Sequence, residues 1–220
     1  MIEPYRNRKE AGRILASYLE KYRNDANLLI LALPRGGVVV AYEVAIMLNA
    51  ELDVFIVRKL GSPYQPELAM GAIAEGGILL LNDAVVNYLS ISKENIENTA
   101  SRELKELERR KILYRNGRDA PDIKGRTVLL IDDGIATGAT MKVAIRAVRR
   151  KEPAKIVAAI PVGAQSSCLE LKEECDEVIC VRTPESFMSV GSWYMDFEQT
   201  TDDEVREFLQ KAYESRKKLI

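Results

Sequence analysis

The chain has 220 residues, 47% hydrophobic and 30% charged, enough to bury a sizeable core and stay dissolved. A formal net charge of −1 offers no basic surface to nucleic acid or an anionic membrane, and no apolar run nears the roughly 20 residues that span a bilayer. There is no histidine, which removes Ser-His-Asp and Cys-His catalysis, histidine general bases and His-ligated zinc.

Chemistry is left to carboxylates, lysines, arginines, backbone amides or a metal ion held by oxygen. The charged start "MIEPYRNRKEAGRILA" shows no signal-peptide core. Within it, Asn7 with Glu10 three residues on reads as a helix cap. Ala11, Ile14, Leu15, Leu19 and Tyr22 follow at helical spacing. Residues 28–33, "LLILAL", form a short continuous apolar run, the mark of a strand buried on both faces. "PRGG" breaks it, and "VVVAYEVAIMLNA" reads as a helix, being too long and uniform for one strand.

"LDVFIVRKL" (52–60) is expected as the next strand and residues 61–71 as a loop. "GAIAEGGILLL" is expected as two strands turning at Gly76-Gly77. Residues 83–115 are helical, with Ile96, Ala100, Leu104 and Leu107 in one stripe and Glu106–Arg110 as an i,i+4 pair. "RNGRDAPDIKGR" is a surface loop. "TVLLI" is a strand, with a helix beyond it to Arg150. "KIVAAIPVG", "SSCLELKEEC" and "EVICV" then read as strand, helix and strand. An aromatic segment, "SVGSWYMDFEQT", precedes a last helix capped by Thr201 and Glu204. The alternation predicts an α/β fold: a Rossmann-like, mostly parallel sheet with helices on both faces. The three cysteines, Cys168, Cys175 and Cys180, form no CxxC pair, and their odd number points to a reduced, cytoplasmic setting. Cys168 and Cys175 sit one heptad apart on an expected helix and read as core.

The most informative stretch is "VLLIDDGIATGAT", residues 128–140. An apolar strand ends in Asp132 and Asp133, where open parallel sheets bind ligands. Gly134, Ala136, Thr137, Gly138, Ala139 and Thr140 supply backbone N–H groups, hydroxyls and a helix N-terminus, together an anion cradle. Two adjacent acids repel a phosphate but suit sugar hydroxyls, or Mg²⁺ held through water. A site for phosphate, diol and Mg²⁺ together describes a phosphorylated ribose. The stretch is not a Walker A loop, since no Lys-Ser/Thr pair follows the glycine, nor is it GxGxxG. "LALPRGGVVVA" is a second strand-to-helix turn, where Gly36 and Gly37 let a ligand approach the main chain and Arg35 adds a fork of donors.

Residues 128–140 resemble the phosphoribosyl-pyrophosphate (PRPP) signature of type I phosphoribosyltransferases: four apolar residues, two acids, then a Thr-Gly-x-Thr turn. "DDGIATGATM" is especially similar to the adenine-type version. The resemblance implies that Asp132 and Asp133 bind the ribose hydroxyls and that residues 136–140 wrap the 5′-phosphate. Arg35, Gly36 and Gly37 then form the pyrophosphate loop. "RKLGSPYQPELAMGAIAEGG" lies where the family has a flexible lid, placing Arg58 and Lys59 near the pyrophosphate and Glu67 or Glu75 near the base or metal. Residues 183–200 correspond to the family's hood over the base, with Phe187, Trp193 and Phe197 as candidate base contacts; Tyr194 and Asp196 belong to the same segment. Such rings also serve to pack the hood on the core, and that alternative stays open for each of them.

The position before Thr-Gly, an aspartate in 6-oxopurine enzymes, is Ala136, which argues against hypoxanthine or guanine as acceptor. The Lys-rich lid of orotate enzymes is also absent. The resemblance therefore implies a Mg²⁺-dependent enzyme that moves ribose 5-phosphate from PRPP to a nitrogen of a nucleobase-like heterocycle. The alternative is a PRPP-sensing regulatory protein without turnover. The expected organisation is one domain over 1–220, with 83–118 as a helical insertion, in a homo-oligomer and most simply a dimer.

Overall fold

The computed structural model of the protein describes residues 3–63 and 65–217. In chain order the elements are α1 (Arg8–Ser17), β1 (Leu28–Ala32), α2 (Gly36–Leu48), β2 (Glu51–Val54), β3 (Val57–Gly61), β4 (Ala69–Ala74), β5 (Ile78–Leu81), α3 (Asp83–Tyr88), α4 (Lys93–Arg115), β6 (Thr127–Ile131), α5 (Ala139–Arg149), β7 (Lys155–Val162), α6 (Gln165–Leu171), β8 (Glu177–Arg182) and α7 (Asp202–Lys217). Five strands form a sheet in the order β2-β1-β6-β7-β8, with every pairing parallel. Both faces are covered, as the uniformly apolar strands require. Leu28, Ile30 and Ala32 face a core shared with α1, α2, α4 and α7. Leu29 and Leu31 face one shared with α5 and α6.

Register decides where the site lies. Ala32 at the end of β1 stands opposite Ile131 at the end of β6, and the Leu33 N–H donates to the Ile131 carbonyl at 2.8 Å. The two chains therefore leave the sheet side by side at its carboxyl edge, and the residues after each meet at once.

The expected strand 52–60 is two strands in two sheets. β3, β4 and β5 form a separate antiparallel sheet. Phe55 and Ile56 carry the crossing: the Phe55 N–H still donates to Ala32 (2.9 Å), while the Ile56 carbonyl already accepts from Glu75 (3.0 Å). Both side chains are buried, in opposite cores, so the apolar run continues unbroken through the change of sheet. The turn at Gly76-Gly77 has φ of 90° and 74°, the left-handed region that glycine enters freely. The region 83–115 is helical as α3 and α4. α6 ends at Leu171, so Cys175 lies beyond that helix rather than on it. The caps read from sequence are made: the Glu10 N–H donates to Asn7 Oδ1 at 3.0 Å, and Thr201 and Glu204 bond reciprocally at 2.8 and 3.2 Å. Among the described residues no helix is long and apolar enough to cross a membrane.

Candidate active site

Asp132 and Asp133 follow β6 and lie against the turn that follows β1. The glycines of that turn are there because nothing larger fits. A methyl group at Gly37 would sit 2.8 Å from the Ile131 carbonyl oxygen and 3.0 Å from Asp132 Cα. At Gly36 it would run into the Asp133 carboxylate and lie 2.9 Å from Arg8 Nε. The two turns, separate in sequence, are thus in direct contact. The Pro34–Arg35 peptide between them and β1 is cis.

The aspartates are held from several sides. The Asp133 N–H donates to Asp132 Oδ1 at 2.8 Å. Arg8 Nε donates to Asp133 Oδ2 at 2.7 Å, and the Tyr194 hydroxyl donates to the Asp133 carbonyl oxygen at 2.5 Å. Burial, and then the neighbouring charge of Asp133, push the Asp132 carboxyl well above the usual carboxylate range. Burial and the same Asp133 charge push the Tyr194 phenol up, so it serves as a neutral donor. A ligand that brings hydroxyl donors or a cation would relieve the crowding of negative charge.

Beyond the aspartates the chain forms a cradle. Ile135 extends the sheet: its N–H donates to Val162 and its carbonyl accepts from Ala164, both at 3.0 Å. Gly134 lies under Val190 of the segment 183–200. Ala136, Thr137, Ala139 and Thr140 are exposed. Gly138 caps α5 with φ of 67°. The first hydrogen bond back into the helix is Lys142 N–H to Gly138 (2.9 Å). The N–H groups of Thr140 and Met141 therefore remain open at the positive end of the helix dipole, a fit for an anion. From behind, the buried Ser167 hydroxyl donates to the Ala136 carbonyl at 2.6 Å. Sequence reading missed Ser167; no local pattern marks it.

Lys59 lies beside the start of α5. With Ala139 and Thr140 it lines a cavity of about 420 Å³ between the antiparallel sheet and α5, and its Nζ donates to the Glu67 carbonyl at 3.2 Å. Arg58, next in the strand, points the other way and bonds Glu103 of α4 at 2.7 Å, so it is not brought to the Gly36-Gly37 turn. Glu75 is also corrected. It is buried, bonded at 2.5 Å to Arg115, which also takes Asp53 at 2.7 Å, and is closed off from any ligand. Glu67 is fully solvated. Arg35 is half-buried, with its Nη1 3.7 Å from Asp202.

The expected base platform is largely structural. Phe187 and Trp193 pack on the cluster of Tyr5, Ala11, Val162 and Tyr194. Phe197 stacks on Tyr194 with centroids 5.1 Å apart, and the Arg8 guanidinium lies 3.9 Å from its centroid. The segment 183–200 is clasped by the N-terminal residues: Tyr5 donates to Trp193 (2.8 Å), Met195 to Tyr5 (2.7 Å) and Asp196 to Arg6 (2.9 Å). This clasp brings Arg8 to the aspartates, a placement with no sequence signal.

The chain is similar to known phosphoribosyl transferase domains. The phosphoribosyl transferase domain family matches residues 2–197. A Mycobacterium tuberculosis (strain H37Rv) protein, provisionally named a phosphoribosyl transferase, is 45% identical over 94% of this chain and 46% of its own length. The uracil phosphoribosyltransferase of Aquifex aeolicus is 29% identical over 60% of the chain and 53% of its own length. The chain thus spans about half the length of these curated relatives. The crystal structure of TT1426 from Thermus thermophilus superposes with a TM-score of 0.82 at 40% identity, covering 94% of this chain and 98% of that one. The chain belongs to the phosphoribosyl transferase domain family.

Proposed function

We propose that the protein transfers ribose 5-phosphate from PRPP to a nitrogen of a nucleobase or similar heterocycle, releasing pyrophosphate. One observation carries this reading: the Gly36-Gly37 turn abuts Asp132 and Asp133, which open directly onto the cradle at 136–140. Two anion-binding turns flanking a carboxylate pair match a sugar phosphorylated at two positions. In this scheme Asp132 and Asp133 accept from the ribose hydroxyls. The open N–H groups and threonine hydroxyls of 136–140 donate to the 5′-phosphate. Arg35, the Gly36-Gly37 backbone and Lys59 face the leaving pyrophosphate. As the bond to pyrophosphate lengthens, positive charge grows on the sugar ring and the aspartates favour it.

The donor set also fits Mg²⁺. Among the described residues no group of three or more metal-binding side chains exists; a carboxylate pair alone suits an ion that keeps its waters and arrives with substrate phosphates. Bound there, Mg²⁺ would neutralise phosphate charge. We carry a dimeric, cytoplasmic protein as part of the same proposal.

The test is pyrophosphate release from PRPP with a panel of bases, with and without Mg²⁺. Turnover with some base should fall at least about 100-fold in Asp132→Asn/Asp133→Asn, the scale of losing transition-state electrostatics. PRPP uptake without turnover on a broad panel would identify a sensor instead, and no uptake at all would defeat both readings.

A further inference from the structure

We propose that Arg8, from the N-terminal turn of α1, binds the leaving pyrophosphate across Gly36, while its Nε bonds Asp133. This rests on the transferase reading and adds a residue that neither the signature nor the pyrophosphate turn contains.

The placement argues for it. Arg8 Nε donates to Asp133 at 2.7 Å, and among the described residues no other cation pairs with either aspartate. The same Nε lies 2.9 Å from the position of a methyl group at Gly36, so the guanidinium sits where the carboxylate pair and the pyrophosphate turn meet. Its orientation is fixed by the Phe197 ring 3.9 Å away and by a bond from Nη1 to the Glu198 carbonyl at 2.7 Å. Its side chain is only 11% exposed. Such a cation is held before any ligand arrives, the condition under which charge stabilisation is strongest.

The donor inventory argues for it as well. A guanidinium has five N–H groups. One goes to Asp133 and one to Glu198; among the described residues the other three have no partner. Arg8 also lines a cavity of about 520 Å³ whose wall carries Asn7, Lys9 and the carboxylates Asp196, Glu198 and Glu204. Three unpaired donors in a planar fork suit phosphate oxygens. A residue that only tied the N-terminus to the hood would need neither the open donors nor the contact with Gly36.

The test separates the two ends of PRPP by titration calorimetry. Mg²⁺-pyrophosphate and ribose 5-phosphate are titrated separately into wild type, Arg8→Gln and Arg8→Lys. Arg8→Gln should weaken pyrophosphate binding at least about tenfold while ribose 5-phosphate changes less than about threefold. Arg8→Lys, which keeps the charge and loses the fork, should fall between, and it decides the matter alone if the glutamine variant does not fold. Unchanged fluorescence of Trp193, the single tryptophan, checks that the hood stays in place. Equal weakening of both ligands, or unchanged pyrophosphate binding, would reduce Arg8 to a clamp and overturn the proposal while leaving the transferase reading intact. Wild-type protein that binds neither ligand overturns both.

Discussion

At the scale of single residues, adjacent glycines do different work. The Gly37 position is closed by backbone, the Ile131 carbonyl oxygen at 2.8 Å and Asp132 Cα at 3.0 Å. Neither moves without moving the sheet, so Gly37→Ala should cost about 1–3 kcal/mol and lower the melting temperature. The Gly36 position is closed by side chains, the Asp133 carboxylate and Arg8. Side chains yield more readily than backbone, so Gly36→Ala should lose less melting temperature than Gly37→Ala and bind PRPP at least about tenfold more weakly, roughly 1.4 kcal/mol. Calorimetric melting and PRPP titration on the pair check this; equal melting losses would mean that the two clashes relax alike. Ser167 is a subtler case. Removing its hydroxyl leaves the Ala136 carbonyl with one partner fewer, worth about 1 kcal/mol. Ser167→Ala should raise the KM for PRPP several-fold, with kcat nearly unchanged, because the bond shapes the phosphate turn in every state. Residues 132–140 were legible because their chemistry is contiguous. Arg8 and Ser167 were not, standing 125 and 31 residues from the groups they serve.

At the scale of elements, helices and strands announced themselves where burial and periodicity agree. α2 is apolar on nearly every side because it is sandwiched between the sheet, α1 and α7, and its length and uniformity marked it as helix. The run 52–60 misled because burial is the same in both sheets; only the hydrogen-bond partners change at Phe55 and Ile56. The hood aromatics stayed open for a related reason: a flat ring reads alike whether it faces a base or a tyrosine. The start of β8 supports a prediction of its own. Glu177 accepts from Lys155 at 2.7 Å, Tyr22 at 2.8 Å and Lys21 at 2.5 Å. Burial alone would raise its pKa, but these partners outweigh it and hold the carboxyl at about 2, against a usual 4.5. A depressed carboxylate stabilises above its unfolded value and loses that contribution as the pH falls through its folded one. Wild-type stability should therefore drop between about pH 4.5 and pH 2, and Glu177→Gln should flatten that acid limb. Urea titrations across this range decide it; parallel curves for the two proteins would remove Glu177 as the cause.

At the scale of the whole molecule, Arg115 is the joint. It ends α4 and bonds Asp53 of β2 at 2.7 Å, the Val54 carbonyl at 2.9 Å and Glu75 beyond β4 at 2.5 Å. It thereby ties the helical insertion and the antiparallel sheet, which carries Lys59, to the five-stranded sheet. Two acids share one cation out of water. Burial, opposed by the Arg115 charge, lifts Asp53 to about 6 from its usual 3.8. A raised carboxyl favours the fold below its unfolded value and loses that contribution as the pH rises through the folded one. Wild-type protein should thus weaken from about pH 4 to pH 6 on account of Asp53. Arg115→Met removes the cation and leaves both carboxylates buried, which should cost about 3–5 kcal/mol at pH 8. The loss should shrink at pH 5, where Asp53 in the variant takes up a proton instead of standing charged and unpartnered. Amide exchange should speed first in β3, β4 and β5, the part released, while β1 and β6 stay protected. Equal losses at both pH values would show that Arg115 stabilises through packing of its stem rather than by charge, and uniform exchange would show that the two sheets open together.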